Sequence, residues 1–182
     1  MLALVTALAI AGCPTRFDPP RLGITVSAPT DGMRRYVHAA SHVAFRIPGE
    51  VERGEREVDG GRYERISIST PENRATPLYR VVILHTLDGS HVPAQQAVDE
   101  LASGLVLGQT VDRDVCRTVG GHPARFLALA NATERGDEGW FLVVSDGTTL
   151  VLMEMVGPSA TDADLDTMPD TFFSTLELGV EG

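Results

Sequence analysis

Two apolar runs, Trp140 to Ser145 and Thr148 to Val156, are separated only by Asp146-Gly147, and this pair constrains the fold more than any other segment. Strand-length runs across a two-residue Asp-Gly connection read as an antiparallel hairpin, because the positive φ angles of such a loop match the twist of paired strands. Glu154 interrupts Leu-Val-Leu-Met-Glu-Met-Val and so stands on a strand near the sheet centre, with Leu150 and Leu152 on its face. A carboxylate there needs either an exposed face or a cation, for which Arg125 is the candidate.

The rest of the chain supplies partners for that hairpin. His42 to Ile47 alternates and stops at Pro48-Gly49, which predicts a strand and a turn. Arg62 to Ser69 and Leu78 to Leu87 predict two more strands, and the second is apolar on both faces, as a central strand is. Thr110 to Val119, Gly120-Gly121 and Ala124 to Ala132 read as a further hairpin. Between these groups, Ala94, Ala97, Val98, Leu101 and Leu105 form one apolar stripe, predicting a helix over 93–107 with Ser90 as N-cap and Pro93 in its first turn. Leu165, Met168, Phe172 and Leu176 predict a closing helix, broken or kinked at Pro169.

The N-terminus carries an address. Leu2 to Ile10 is apolar, Ala11 and Gly12 are small, and Cys13 follows, the pattern that bacterial lipoprotein signal peptidase cleaves. Residues 1–12 are expected to be a signal peptide and Cys13 the lipidated residue, attaching the protein to a bacterial membrane and facing the periplasm or exterior. The apolar run is shorter than the roughly 20 residues a membrane-spanning helix needs. Residues 13–30, with Pro14, Pro19, Pro20 and Pro29, read as a tether able to hold the domain up to roughly 50 Å from the membrane at about 3.1 Å per residue. Residues 31–182 are then a single domain.

Net charge is −10, and every cation is an arginine because the chain has no lysine. The arginines are interleaved with acids, as in Glu52, Arg53, Glu55, Arg56 and Glu57, so no basic face for nucleic acid is expected. With Cys13 acylated, Cys116 has no partner within the chain, and no histidine near it in sequence serves as its base; it reads as a partly buried, unreactive thiol.

Catalytic motifs are scarce. His85, Asp88 and His91 are three residues apart where the central strand leaves the sheet, and two imidazoles with a carboxylate suit zinc or iron, although a polar loop explains them as well. His38 and His42 are four apart, but their surroundings are not helical and residue 39 is alanine, so the zinc-protease motif is absent. Asp162, Asp164 and Asp166 imitate the start of a calcium loop, yet Thr167 stands where glycine is needed and Phe173 where a bidentate glutamate is needed. No nucleophile elbow, phosphate loop, dinucleotide fingerprint or Cys-x-x-Cys occurs. No cofactor and no catalytic residue are expected.

Four segments carry a family resemblance: His42-Val-Ala-Phe-Arg-Ile-Pro-Gly-Glu50, Val119-Gly-Gly-His-Pro-Ala-Arg-Phe126, Asp146-Gly-Thr-Thr-Leu-Val-Leu-Met-Glu-Met-Val-Gly-Pro158 and Phe172-Phe-Ser-Thr-Leu-Glu-Leu178. Their order resembles the PsbP-like α/β/α sandwich, a group that includes mycobacterial LpqN-type lipoproteins. The resemblance implies an α+β fold, a curved antiparallel sheet flanked by helices, and roles in binding or assembly without a shared active-site motif. The expected function is a non-catalytic, membrane-anchored module of the cell envelope that binds a protein partner. The alternatives are a carrier or sensor of a small apolar ligand, and a metal-dependent enzyme using His85, Asp88 and His91.

Overall fold

The computed structural model describes residues 15–72, 76–130, 132–133, 136–157 and 171–180. In chain order the elements are β1 (Thr15–Arg16), β2 (Ile24–Val26), β3 (Met33–His38), β4 (Val43–Pro48), β5 (Arg53–Asp59), β6 (Tyr63–Ser69), β7 (Leu78–Thr86), α1 (Ala94–Leu105), β8 (Thr110–Val119), β9 (His122–Ala130), β10 (Glu138–Ser145), β11 (Thr149–Gly157) and β12 (Glu177–Leu178). Eight strands form one antiparallel sheet in the order β1-β5-β6-β7-β11-β10-β9-β8, and four form a second in the order β12-β4-β3-β2.

Period-two alternation sorts the large sheet into two buried faces. Ile66, Ile68, Val81, Ile83, Val151 and Met153 point one way and pack against Tyr36, Phe45 and Ile47 of the small sheet. Val82, Leu127, Val143, Leu150 and Leu152 point the other way and meet Ala97, Val98, Leu101 and Ala102 of α1. Each such side chain fully buried contributes about 1.5–3 kcal/mol, so both layers are worth far more than the intrinsic propensity of α1. Residues 171–173 are helical and place Phe172 and Phe173 over Tyr79 and Phe126 on the small-sheet face, with ring centroids 5.0 and 5.5 Å apart.

The helix-flanked sandwich therefore needs correction: one face of the large sheet is covered by α1 and the other mainly by a second sheet. The strand over 42–47 belongs to that second sheet, as β4. The tether is corrected as well. From Thr15 onward the segment is folded: β1 pairs with β5, β2 pairs with β3, and Leu22 and Ile24 lie 3% and 5% exposed in the core. Prolines 19 and 20 start a short 3-10 turn rather than an extended spacer.

Two local expectations are refined. Pro93, not Ser90, precedes the first helical residue, and no side chain caps α1 there. Strands β10 and β11 are joined through 146–148, with positive φ only at Gly147, because Asp146 Oδ1 accepts hydrogen bonds from the amides of Thr148 and Thr149, both at 2.8 Å. The Gly120-Gly121 turn has both φ values positive, at 58° and 86°, as the hairpin reading requires.

Candidate functional site

The two sheets share one buried polar cluster. Glu64 sits on β6 in the series Glu64, Ile66, Ile68, so alternation alone turns its carboxylate into the intersheet layer, where it is 2% exposed. Arg56, two strand positions away on the neighbouring β5, donates from Nε to Glu64 Oε1 at 2.6 Å and closes the open side of that carboxylate. From the opposite sheet His38, at the end of β3 and 2% exposed, brings Nε2 to 3.6 Å from Glu64 Oε2. That separation is an electrostatic contact and not a hydrogen bond. The ring's Nδ1 lies 2.7 Å from Ser41 Oγ. Gly23, with φ of 67°, passes over the imidazole so closely that a Cβ there would lie 3.5 Å from Nε2. The N-terminal segment thus roofs the cluster.

Burial pushes the His38 ring below its ordinary value of 6.5, outweighing the upward pull of Glu64, while His85 and Arg56 act in the same direction as burial. His85 stands directly opposite Glu64 on β7 and has Nδ1 3.2 Å from Thr149 Oγ1.

Ser41, His38 and Glu64 lie in the order of a hydrolase triad, and their burial decides what they can do. Ser41 is only 2% exposed, so no substrate carbonyl reaches its Oγ, and the contacts join the two sheets. The sequence reading missed this cluster. Its signal was the parity of Glu64 with Ile66 and Ile68.

The residues singled out from the sequence disperse. Among the described residues no three of His, Cys, Asp and Glu are placed to hold a metal ion, so His85, Asp88 and His91 do not converge. Asp88 turns to the backbone amide of Ser90 at 2.9 Å, and His91 lies against Gly147. His38 and His42 part company, since His42 adopts a left-handed φ of 54° and its Nδ1 lies 3.1 Å from the carbonyl oxygen of Val180. Glu154 is paired with Arg80, Nε to Oε2 2.7 Å, and not with Arg125. Arg125 instead grips Asp114 through Nε and Nη2, at 2.7 and 2.6 Å, which holds the Asp114 carboxyl below its ordinary range. Cys13, the Asp162, Asp164 and Asp166 series, and Leu165, Met168 and Pro169 of the expected closing helix lie outside the described residues.

A cavity of about 30 Å³ lies between Thr86, Ala97, Ser145 and Leu150. It has room for about one water, too little for an apolar ligand. On the surface, β8 stands out. It is one of the two outer strands of the large sheet, it is exposed from Thr110 to Thr118, and it carries Val111 and Val115 at 41% and 37% exposure. Cys116, read from the sequence as partly buried, is exposed there.

No family model matches the chain, and no curated protein matches it by sequence. Among solved structures it is similar to the solution structure of cyanobacterial PsbP (CyanoP) from Synechocystis sp. PCC 6803, with a TM-score of 0.54, 14% identity, and coverage of 84% of this chain and 95% of that one. At that identity the likeness is one of fold, and the fold is PsbP-like.

Proposed function

We propose that this chain is a lipid-anchored protein of the cell envelope whose PsbP-like domain is a non-catalytic binding or assembly module for a protein partner. The observation that carries the reading is the sealed state of the Ser41–His38–Glu64 cluster. The one described arrangement with the order of a catalytic triad has no access to substrate. The Leu-Ala-Ile-Ala-Gly-Cys13 segment supports attachment through a diacylglyceryl group on Cys13, which adds about 0.8 kcal/mol of membrane affinity per buried CH₂. Strand β8, exposed from Thr110 to Thr118 at an edge of the large sheet, supports a protein partner, since an edge of this kind accepts an added strand. A net charge of −10 favours a partner with a cationic face and makes binding weaken with salt.

The test is purification from membranes with the anchor intact, in parallel with Cys13→Ser and with Val115→Asp on β8. One stoichiometric protein that follows the wild type and is lost from the β8 variant supports the reading, as does release of Cys13→Ser from the membrane fraction. Stoichiometric zinc or iron in the wild type, absent from His85→Ala with His91→Ala, would replace it with a metal enzyme.

A further inference from the structure

The fold leaves almost no chain between Cys13 and the domain. Thr15 is already hydrogen-bonded into the large sheet opposite Gly54, so Pro14 alone separates it from Cys13. Two Cα steps span at most about 7 Å. A headgroup layer is itself about 5–7 Å deep, given a hydrocarbon core of roughly 30 Å within a bilayer of 40–45 Å. A lipid on Cys13 therefore brings β1 down to the headgroups.

The edge it brings down has a matching chemistry. Arg16 of β1 and Arg53 of β5 stand directly opposite each other, both exposed, with Cβ atoms on the order of 5 Å apart. Like charges in that relation repel, and among the described residues neither guanidinium has an ion-pair partner. A phosphate between them removes the repulsion and matches the fork geometry of both side chains. The neighbouring Asp18 and Glu52 are exposed acids, so the edge as a whole is not strongly cationic. What it offers is a two-arginine phosphate seat, and phosphate is present in zwitterionic and anionic phospholipids alike.

We infer that the domain stands on its membrane by the β1–β5 edge, with Arg16 and Arg53 on lipid phosphate, and that the large sheet itself is the spacer that lifts β8 away from the bilayer. This rests on the reading of Cys13 as the lipid-bearing residue. Seven strand spacings of about 4.8 Å separate β1 from β8, a path of roughly 34 Å along the sheet. The strand offered to a partner is thus the one farthest from the lipid.

The test uses the full lipidated chain in phosphatidylcholine vesicles containing a headgroup-quencher lipid. One chain carries a fluorophore on native Cys116; the other carries it at Asp18→Cys, with Cys116→Ser. Quenching at position 18 and none at Cys116 is the expected result. A Gly/Ser insert of about ten residues after Pro14, which adds roughly 18 Å of reach, abolishes the quenching while the chain stays on the vesicles. Arg16→Gln with Arg53→Gln lowers the quenching with the lipid still in place. Equal quenching at both sites, or none at position 18 on a lipid-bearing chain, overturns the orientation alone. The mass of the N-terminal peptide reports separately on Cys13: an unmodified cysteine overturns the anchor reading and the orientation with it.

Discussion

Arg56 and Glu64 form a half-sheltered pair: the carboxylate is 3% exposed and the guanidinium 47%, with Arg56 Nη2 2.6 Å from Glu64 Oε1. The exposed partner can be removed without opening the core, which leaves a buried carboxylate beside His38 and His85 with its guanidinium gone. Arg56→Met is expected to cost about 1–3 kcal/mol, less than a fully buried pair would, since water reaches the vacated side. In a double-mutant cycle by urea unfolding, Arg56→Met with Glu64→Leu should cost less than the two single changes added together. Strict additivity would show that the pair does not interact.

Acidification should weaken the fold through His38. Its folded-state pKa lies below the ordinary 6.5, so the unfolded chain takes up the proton first as pH falls. This stability is fully present above about pH 6.5 and is lost below it, toward the lowered folded-state value. Urea midpoints at pH 7.5 and 5.5 should therefore differ less for His38→Gln than for the wild type. An unchanged slope would assign the pH dependence to other groups.

Leu101, 4% exposed beneath α1, anchors the helix to the outer face of the large sheet. Leu101→Ala is expected to cost about 2–5 kcal/mol, whereas Leu107→Ala, at 83% exposure two residues beyond α1, should stay within about 0.5 kcal/mol. Thermal unfolding of the two variants checks the assignment of the helix face.

Residues 15–30 should behave as folded structure, with Leu22 and Ile24 in the core. Leu22→Ala is expected to cost about 2–5 kcal/mol. Gly54→Ala, whose new Cβ would sit 2.5 Å from Leu22 Cδ1 and 3.1 Å from Phe17, should cost about 1–3 kcal/mol by overpacking. Both changes would be silent if the segment were a tether. Limited proteolysis ahead of Ile24 gives a second measure, because loosening the segment exposes it to cleavage.

Cys116 should react with a thiol reagent in the native state as fast as in urea, because it is exposed on β8. Protection lifted only by unfolding would place something over that strand.

Patterns within a few residues were legible before the structure. The α1 stripe, the Gly120-Gly121 hairpin and the two-faced apolar character of β7 each follow from spacing, and each stands where it was expected. What the sequence hid was pairing across long separations. Nothing local says that Val43–Pro48 leaves the large sheet, or that a proline-rich stretch supplies Leu22 and Ile24 to its core. Partner choice failed for the same reason. Glu154 lies on central β11 and faces Arg80 across the β11–β7 pair, while Arg125 lies beyond β10, on β9 beside the edge strand, and is claimed by Asp114 of β8. The His38 cluster was hidden because its members come from both sheets, although the parity of Glu64 already pointed inward.

Strand β12 pairs Glu177 with Ala44 and Leu178 with Val43, so the small sheet takes one edge strand from far downstream of the others. Closing a loop of that length must precede any gain from the contact, which makes this a late and slow step in folding. A ribosome would have to release the chain past Leu178 before Val43 and Ala44 could find their partners. Until then, β4 is an open template, and the half-made protein depends on whatever keeps other strands from it.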